Sequence, residues 1–350
     1  MKKNILFICG SLNQTMQMHA IAQHFPEYAC YFTPYYIGDF RDDLVKVVFD
    51  RSILGGAYRR QTEAYLAEHN LDVDEKGMAN TYDFVFTCQD IIVPSNIRHK
   101  KIFLVQEGMT DREGLRFHTM KKMGLPRWFA GTSSTGLSDA YCLFFVASEG
   151  YRTLFARKGI SLNKLRVTGI PNFDNAEEYL NSEFPYSGYV LAVTSNLREV
   201  LEYENRKQLI LKACDIAGNR QLIFKLHPNE NINRAIREIN RHAPGALIFS
   251  TGNTNIMVAH CSALVTRRSS VMYIAYALGK KVYADISEEE IKNMMPIQNN
   301  GTSARSIADI TKAYLESLSG EFYTEYHAAY AHKLCYDEQI YAVPTYMGIY

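Results

Sequence analysis

Short apolar runs alternate with helical patterns along most of this 350-residue chain. Such alternation predicts an α/β protein with largely parallel sheets, because two parallel strands must be joined by a crossover that is usually a helix. We predict strands at residues 5–9, 84–87, 102–105, 142–147 and 166–168, and again at 189–193, 222–226, 246–249, 263–266 and 282–284. The pattern therefore predicts two Rossmann-like α/β domains that face each other across a cleft.

A linker between the two domains is predicted near the middle of the chain. Residues 169–188 contain two prolines and two glycines and show little apolar periodicity. We therefore divide the chain into an N-terminal domain, 1–180, a C-terminal domain, 181–325, and a tyrosine-rich tail, 326–350, which could pack back onto the first domain. Each domain is long enough to bury a core of its own.

Composition excludes several classes of protein. The formal net charge is +1, so the marked basic excess of a nucleic-acid-binding protein is missing. The seven cysteines are scattered and form no C-x-x-C pair, which predicts reduced thiols rather than disulfides or a zinc site. The first apolar run ends at Gly10, too early for a signal peptide, and no run approaches the ~18 residues of a membrane span. We expect a cytoplasmic protein that at most touches the inner membrane.

One polar segment, the Ser-Ser loop (266–271), follows a predicted strand and precedes a helical pattern. Ser269 and Ser270 offer hydroxyls and free backbone N–H groups at a helix start, which together suit an anion. Arg267 or Arg268 could add charge-assisted hydrogen bonds to a phosphate. We predict that Arg268, Ser269 and Ser270 bind phosphate, and the alternative is a plain helix-capping serine.

A second polar segment, the His-Pro loop (225–230), also follows a predicted strand. Pro228 favours an extended backbone at His227, which would project the imidazole from the strand end. A histidine there can donate a proton or a hydrogen bond to a departing phosphate oxygen. We assign His227 a catalytic role, and Lys225 and Pro228 to phosphate binding. The alternatives are a histidine bonded within its loop, and surface charges at Lys225 and Glu230.

Ligands bind beyond the carboxyl ends of the strands in open α/β sheets. We expect the His-Pro loop and the Ser-Ser loop to lie at neighbouring strand ends and to hold one phosphorylated ligand. That ligand would be a nucleotide or a nucleotide-sugar.

The Glu-Gly turn, residues 106–108, follows the predicted strand 102–105 in the first half of the chain. Gly108 lets a ligand approach the backbone closely. Glu107 could face His227 across the cleft and take a proton from an acceptor hydroxyl. The alternative is a glutamate in a solvated loop.

The remaining acceptor contacts are predicted at Ser11 and Asn13, after the first strand, and at Trp128. Trp128 belongs to a basic and aromatic segment, residues 116–129, which could hold an anionic glycan, touch a membrane surface, or pack as an ordinary surface helix. Residues 72–74 read Asp-Val-Asp without a preceding strand, and we predict a solvated loop there. No metal and no cofactor is expected, since a G-x-G-x-x-G fingerprint is also missing.

Taken in order, the Glu-Gly turn, the His-Pro loop and the Ser-Ser loop resemble motifs of GT-B-type glycosyltransferases. The resemblance is strongest to the bacterial sialyl-, polysialyl- and Kdo-type transferases, which use CMP-sugars. The His-Pro and Ser-Ser loops are also similar to those of CDP-glycerol glycerophosphotransferases. Residues 167–174 resemble the Gly-x-Pro-x-x-Asp stretch of such proteins and of UDP-GlcNAc 2-epimerases.

The resemblance implies a GT-B arrangement, with the nucleotide on the C-terminal domain and the acceptor on the N-terminal domain. It implies that Glu107 is the general base, that His227 stabilises the leaving phosphate, and that Ser269 and Ser270 bind it. Two departures leave the donor open. Gln106 stands where the Glu-Gly motif often has a second acid, and Arg267-Arg268 replaces the Asp-Tyr of the glycerophosphotransferases.

The sequence therefore predicts metal-independent transfer of a sugar from a nucleotide-activated donor to a hydroxyl of a surface glycan, such as capsule or lipopolysaccharide. The alternatives are a UDP-GlcNAc 2-epimerase-like enzyme, transfer of glycerol phosphate from a CDP-linked donor, and a non-catalytic protein that binds nucleotide or glycan.

Overall fold

The architecture comes from a computed structural model that describes residues 2–37, 56–200 and 203–319. Both sheets belong to one compact unit, Met1–Ser306. A second unit, Ile307–Tyr350, is described only as far as residue 319, and the tail predicted at 326–350 lies outside the described residues.

Six of the described strands form a parallel sheet in the order β2-β1-β3-β4-β5-β6. β1 lies between β2 and β3, with Ile5 opposite Cys30 on one side and Phe84 on the other. The central strands are almost wholly buried and apolar, as expected where helices cover both faces of a parallel sheet. The strands of this sheet are β1 Asn4–Cys9, β2 Ala29–Pro34, β3 Phe84–Thr87, β4 Lys101–Val105, β5 Leu143–Val146 and β6 Leu165–Val167.

Five further strands form a second parallel sheet in the order β11-β10-β7-β8-β9. The direction in which the chain adds strands reverses between β7 and β10, and a crevice opens at such a switch point beyond the carboxyl ends of the strands. The strands of this sheet are β7 Val190–Val193, β8 Leu222–Lys225, β9 Leu247–Phe249, β10 Ala263–Val265 and β11 Lys281–Tyr283.

The strand order corrects one expectation. β8 leads into the His-Pro loop and β10 into the Ser-Ser loop, but β7 lies between these two strands. The two loops are therefore not at neighbouring strand ends. Two strand spacings, about 10 Å, separate the strands from which they start.

The helices cover the two sheets and form most of the crossovers. They are α1 Leu12–Ala22, α2 Gly56–Glu68, α3 Leu115–Met123, α4 Glu149–Lys158, α5 Arg206–Ala217, α6 Ile232–His242, α7 Thr254–His260, α8 Val271–Ala277, α9 Glu288–Met294 and α10 Ser303–Ser319. A kinked pair of 3-10 turns at Arg127–Ser134 packs against α3.

All ten predicted strands are present, each within a residue of its predicted bounds at either end. The strand that the sequence did not predict is β2, which lies at the edge of its sheet and ends in Pro34. An edge strand with a terminal proline is the kind that apolar patterning detects least well. The boundary at residue 180 stays a prediction, and it falls between the end of β6 and the start of β7.

One apolar core joins the two sheets, since residues of both, such as Leu104 and Leu191, belong to the same buried cluster. The hydroxyl groups of Tyr151 on α4 and Tyr273 on α8 lie 3.0 Å apart within it. The Ile297 N–H donates to the Ala147 carbonyl at 2.9 Å, which ties the segment after α9 to the end of β5. These contacts fix the positions of the two sets of strand ends relative to each other.

In the loop at residues 72–74, Asp72 and Val73 are exposed as predicted, but Asp74 differs from its prediction. Asp74 is buried, and its carboxylate accepts hydrogen bonds from the backbone N–H groups of Met78, Ala79 and Asn80 and from the Tyr82 hydroxyl. It is therefore a carboxylate that holds the turn together, not a solvated loop residue. Burial by itself would raise the pKa of Asp74, but these hydrogen bonds bring it below its ordinary value.

Two further findings concern the cysteines and the length of the helices. The six cysteines within the described residues are all free thiols. No helix among the described residues is long and apolar enough to cross a membrane.

Candidate functional site

Two residues at the start of α1 hold the Glu107 carboxylate through hydrogen bonds. Its Oε1 accepts a hydrogen bond from the Ser11 hydroxyl at 2.6 Å, and its Oε2 accepts one from Gln14 Nε2 at 2.5 Å. Ser11 is the N-cap of α1 and also accepts from the Gln14 N–H at 3.2 Å. These two donors at the start of α1 hold the carboxylate in a fixed position. Glu107 is half-buried, so it is not a solvated loop glutamate.

The side chain of Gln106 fixes the Glu-Gly turn through hydrogen bonds to the backbone. Its side chain donates to the Gly108 carbonyl at 2.7 Å and accepts from the Ala147 N–H at 2.9 Å. Its own carbonyl accepts from Gln17 on α1 at 2.8 Å. Only a neutral amide can donate and accept in this way, since an ionised carboxylate accepts only. The glutamine that departs from the two-acid motif therefore has a structural reason here.

His227 is held by its own loop. Its Nδ1 accepts a hydrogen bond from the Asn229 N–H at 3.1 Å. Burial, followed by the positive charge of Lys225, holds the pKa of His227 below its ordinary value. The ring is therefore neutral near pH 7, and with Nδ1 acting as acceptor the proton lies on Nε2. His227 thus offers a ligand a hydrogen-bond donor.

A buried ion-pair network supports the His-Pro loop. The Glu230 carboxylate accepts from the His227 N–H at 2.9 Å and from Arg206 Nη1 at 2.8 Å, and Arg206 also pairs with Glu204 at 2.9 Å. Thr194, directly after β7, accepts from the same His227 N–H at 3.0 Å. Glu230 is therefore not a surface charge, because it connects β8 to the end of β7 and the start of α5.

Lys225 also differs from its prediction. The side chain is buried, and Nζ donates to the neighbouring Leu226 carbonyl at 3.1 Å. Burial lowers the pKa of Lys225, with Glu230 acting in the opposite direction. The lysine lies in the layer beneath the loop, so direct phosphate binding by Lys225 is not supported. Pro228 is exposed.

The hydroxyl groups of the Ser-Ser loop are unengaged. Ser269 and Ser270 are half-buried, and their carbonyls accept the N–H groups of Met272 and Tyr273 at 3.1 and 3.0 Å. Neither hydroxyl forms a hydrogen bond within the described part of the chain, and Ser270 does not cap α8 through its side chain. The structure therefore argues against plain helix capping and leaves both hydroxyls available to a ligand.

The two arginines before the serines have different partners. Arg267 pairs with Asp285 at 2.7 Å near the surface. Arg268 reaches across to the first sheet, where Nη2 donates to the Thr110 carbonyl at 3.0 Å, while its buried Nε has no hydrogen-bond partner among the described residues. Arg268 therefore links the Ser-Ser loop to the loop that carries Glu107.

Two site residues were missed by the sequence reasoning. Asn229 donates from Nδ2 to the Tyr58 hydroxyl on α2, which joins the His-Pro loop to the first half of the chain. Burial raises the pKa of Tyr58, and the nearby charge of Glu107 adds to this effect. Tyr58 thus lies between Glu107 and the His-Pro loop. It belongs to no motif, so no sequence signal pointed to it.

A cavity of about 450 Å³ opens beside the His-Pro loop. Arg234 and Glu199 form an ion pair on its wall. Arg198 also lines the cavity and pairs with Glu238, which lies outside the lining. The residues that line it are Arg198, Glu199, Pro228, Asn229, Glu230, Asn231 and Arg234. The charges on its wall are therefore largely neutralised within the protein.

The predicted acceptor residues occupy different places. Ser11 is buried and contributes through its contact with Glu107. Asn13 has an exposed side chain, and its carbonyl accepts from Asn172 at 2.8 Å. Trp128 is exposed on the 3-10 turns after α3. Among the residues that the structure describes, no cluster of three or more His, Cys, Asp or Glu side chains could hold a metal ion.

The sequence matches no protein-family model. Nor does it match any curated protein sequence. Its fold, however, is similar to solved structures. S. aureus MnaA, solved with UDP, superposes with a TM-score of 0.57 at 12% identity, over 90% of this chain and 97% of that one. UDP-GlcNAc 2-epimerase from Neisseria meningitidis, solved with UDP-GlcNAc, superposes with a TM-score of 0.55 at 12% identity, over 89% of this chain and 100% of that one. The wall teichoic acid polymerase TagF superposes with a TM-score of 0.50 at 11% identity, over 91% of this chain and 90% of that one.

These likenesses establish the fold class. The chain has the GT-B fold, with two parallel sheets in Rossmann-like domains, as the sequence predicted.

Proposed function

We propose that this protein is a nucleotide-sugar enzyme, and specifically a glycosyltransferase that moves a sugar to a hydroxyl of a surface glycan without a metal. The observation that carries the proposal is the fixed Glu107 carboxylate beside Tyr58, whose hydroxyl contacts the His-Pro loop. The nucleotide ligands of similar structures, UDP-GlcNAc and UDP, support a nucleotide-sugar donor. The domain division at residue 180 and the cytoplasmic location remain part of the same proposal.

In the proposed reaction, Glu107 accepts the proton of the acceptor hydroxyl. The acceptor oxygen forms a bond to the anomeric carbon, and the bond from that carbon to the phosphate oxygen breaks. The negative charge that develops on the phosphate meets His227 Nε2–H and the hydroxyl groups of Ser269 and Ser270. Donors that are already oriented stabilise such charge most effectively, because they need no reorganisation during the reaction.

A UDP-GlcNAc 2-epimerase-like activity is the second candidate, favoured by the likeness to the UDP-GlcNAc 2-epimerase from Neisseria meningitidis. An epimerase turns over its donor without an acceptor, whereas a transferase needs one. Transfer of glycerol phosphate is the third candidate, and the likeness to TagF supports it. In that reaction the phosphate moves to the product together with the alcohol.

The first experiment measures nucleotide binding. A panel of CMP, CDP, UMP, UDP, GDP and TDP is tested by thermal unfolding. A nucleotide at a hundred times its Kd stabilises by about 2.7 kcal/mol, which raises the Tm by roughly 5–10 °C. The matched variant is His227→Asn, because its side-chain oxygen can still accept from the Asn229 N–H while Nε2 is lost. We expect the shift to shrink in this variant, and an equal shift in both proteins would remove His227 from the phosphate site.

The second experiment separates chemistry from binding. Glu107→Gln keeps the shape of the side chain and its contact with Ser11 but removes the charge. We expect wild-type nucleotide binding and a transfer rate about 10²–10⁴-fold lower, which is the usual contribution of a general base. Glu113→Gln, an exposed residue six positions on, is the control. Wild-type transfer by Glu107→Gln would contradict the proposed base.

A further inference from the structure

The first half of the chain carries an exposed apolar surface that takes no part in the proposed proton transfer or phosphate stabilisation, although Trp128 within it is also a predicted acceptor contact. Four large side chains on α3 and the following 3-10 turns face solvent, with exposed fractions of 85% for Leu115, 67% for Met123, 58% for Trp128 and 37% for Phe129. Together with the exposed Arg116 and Lys122 we call them the basic aromatic patch. Isolated exposed apolar residues are common, but several on two adjoining elements indicate an interaction surface.

Within α3 and the 3-10 turns the charge is one-sided, although two exposed carboxylates, Asp111 and Glu113, lie directly before α3. Residues 115–129 contain Arg116, Lys121, Lys122 and Arg127 and no Asp or Glu, although the whole chain has a net charge of only +1. Arg127 is partly engaged, since Nη2 donates to the Asp90 carbonyl at 3.3 Å, and Lys121 contacts the Lys158 carbonyl at 3.4 Å. The patch therefore combines apolar tips with positive charge, which suits a negatively charged partner.

The patch is rigidly attached beside the Glu-Gly turn. Phe117, Met120 and Ala130 form a small buried cluster that fixes α3 against the 3-10 turns. The Thr132 hydroxyl donates to the Asp111 carboxylate, four residues after Glu107. The patch thus extends the same edge of the first sheet at which Glu107 lies.

We propose that the basic aromatic patch docks the protein on an anionic lipid bilayer. Tryptophan settles at the level of the lipid headgroups, phenylalanine, leucine and methionine enter the acyl boundary, and arginine and lysine attract anionic lipids. An anionic glycan would satisfy the positive charges but would give Leu115 and Met123 no apolar contact. If the proposed transferase activity holds, docking here brings Glu107 towards an acceptor carried by the membrane.

The test uses the full chain and vesicles of phosphatidylcholine with or without phosphatidylglycerol, in sedimentation without nucleotide. We expect wild type to bind the anionic vesicles, and we expect Arg116→Glu/Lys122→Glu to lower the partition coefficient at least about tenfold. Leu115→Ser/Met123→Ser should lower it to a similar degree by removing apolar contact. The matched controls, Lys207→Glu/Lys212→Glu and Leu211→Ser, change exposed residues of α5 and should bind as wild type.

Several results would overturn the docking proposal. One is that wild type stays in the supernatant with anionic vesicles, and another is that the α5 variants lose as much binding as the patch variants. Loss of self-association in the patch variants, with vesicle binding retained, would assign the patch to protein contacts. The transferase proposal is tested separately, because Glu107→Gln should bind vesicles normally, and Arg116→Glu/Lys122→Glu should act normally on a soluble acceptor.

Discussion

At the scale of single residues, the two proposed catalytic groups are held in different ways. His227 takes its ring orientation from its own loop, through the Asn229 N–H. Glu107 depends on Ser11 and Gln14, which are more than ninety residues away in sequence. The histidine could therefore be oriented by local chain geometry, whereas the glutamate is oriented only once α1 has packed beside β4.

The lowered pKa of His227 predicts a dependence of stability on pH. In the unfolded chain the ring titrates near ~6.5, whereas the folded ring binds its proton only at lower pH. The unfolded state therefore binds more protons below ~6.5, and the free energy of unfolding falls as the pH decreases towards the folded-state pKa. Urea unfolding of wild type and His227→Asn between pH 7.5 and 5 should show a weaker loss in the variant. The partly buried His19 is present in both proteins, so its effect cancels, and parallel curves would refute the prediction.

At the scale of secondary-structure elements, the His-Pro loop is supported from beneath by three elements. Glu230 follows β8, Arg206 begins α5, and Thr194 directly follows β7, and all three are buried. Charges in such a place are costly unless they stay paired, so the network fixes the loop only while every member is present.

Removing the central cation of this network should destabilise the protein strongly. Arg206→Leu leaves the carboxylates of Glu204 and Glu230 buried with their main positive partner gone, and loss of one member of a buried ion pair costs about 3–5 kcal/mol. Lys207→Leu, at the adjacent exposed position, should change the free energy of unfolding by less than about 0.5 kcal/mol. Urea denaturation measures both. A change below about 1 kcal/mol in Arg206→Leu would show that the network contributes little.

At the scale of the whole molecule, the cleft depends on contacts between the two halves of the compact unit. Arg268 meets Thr110, Asn229 meets Tyr58, and α4 packs against α9. At Gly150, near the start of α4, a Cβ atom would lie 1.9 Å from the Asn293 carbonyl oxygen of α9. A glycine is required there because two helices from different halves of the chain approach so closely.

Gly150→Ala should therefore weaken the packing of the two halves. Alanine favours the helix by up to about 1 kcal/mol, but the clash is with backbone, which cannot move aside as a side chain can. We expect a net destabilisation of about 1–3 kcal/mol by urea unfolding. Gly114→Ala, where a Cβ would meet only the Arg112 carbonyl at 4.0 Å, should cost less than about 1 kcal/mol. If the two variants lose the same free energy of unfolding, α9 must move away from the new methyl group at residue 150 without an energetic cost, and the prediction is wrong.

The positions of the predicted strands and the α/β class could be read from the sequence because they depend on local patterns. Short apolar runs of three to six residues bounded by polar turns are visible without any knowledge of neighbours. The polar residues at the strand ends were visible for the same reason. β2 was missed because it is an edge strand whose first three residues are only half-buried and whose last residue is a proline, which gives a weaker strand pattern.

The sequence by itself thus determined the alternation of strands and helices, the two-sheet architecture and the polar loops where a ligand is proposed to bind. Only the tertiary structure decided that β7 separates the two phosphate-binding candidates, that Lys225 and Glu230 are buried, and that Tyr58 meets Asn229. The physical reason is that local patterning depends on which side of an element avoids water. Partners in space depend on strand order and packing between distant segments, and no short stretch of sequence specifies these.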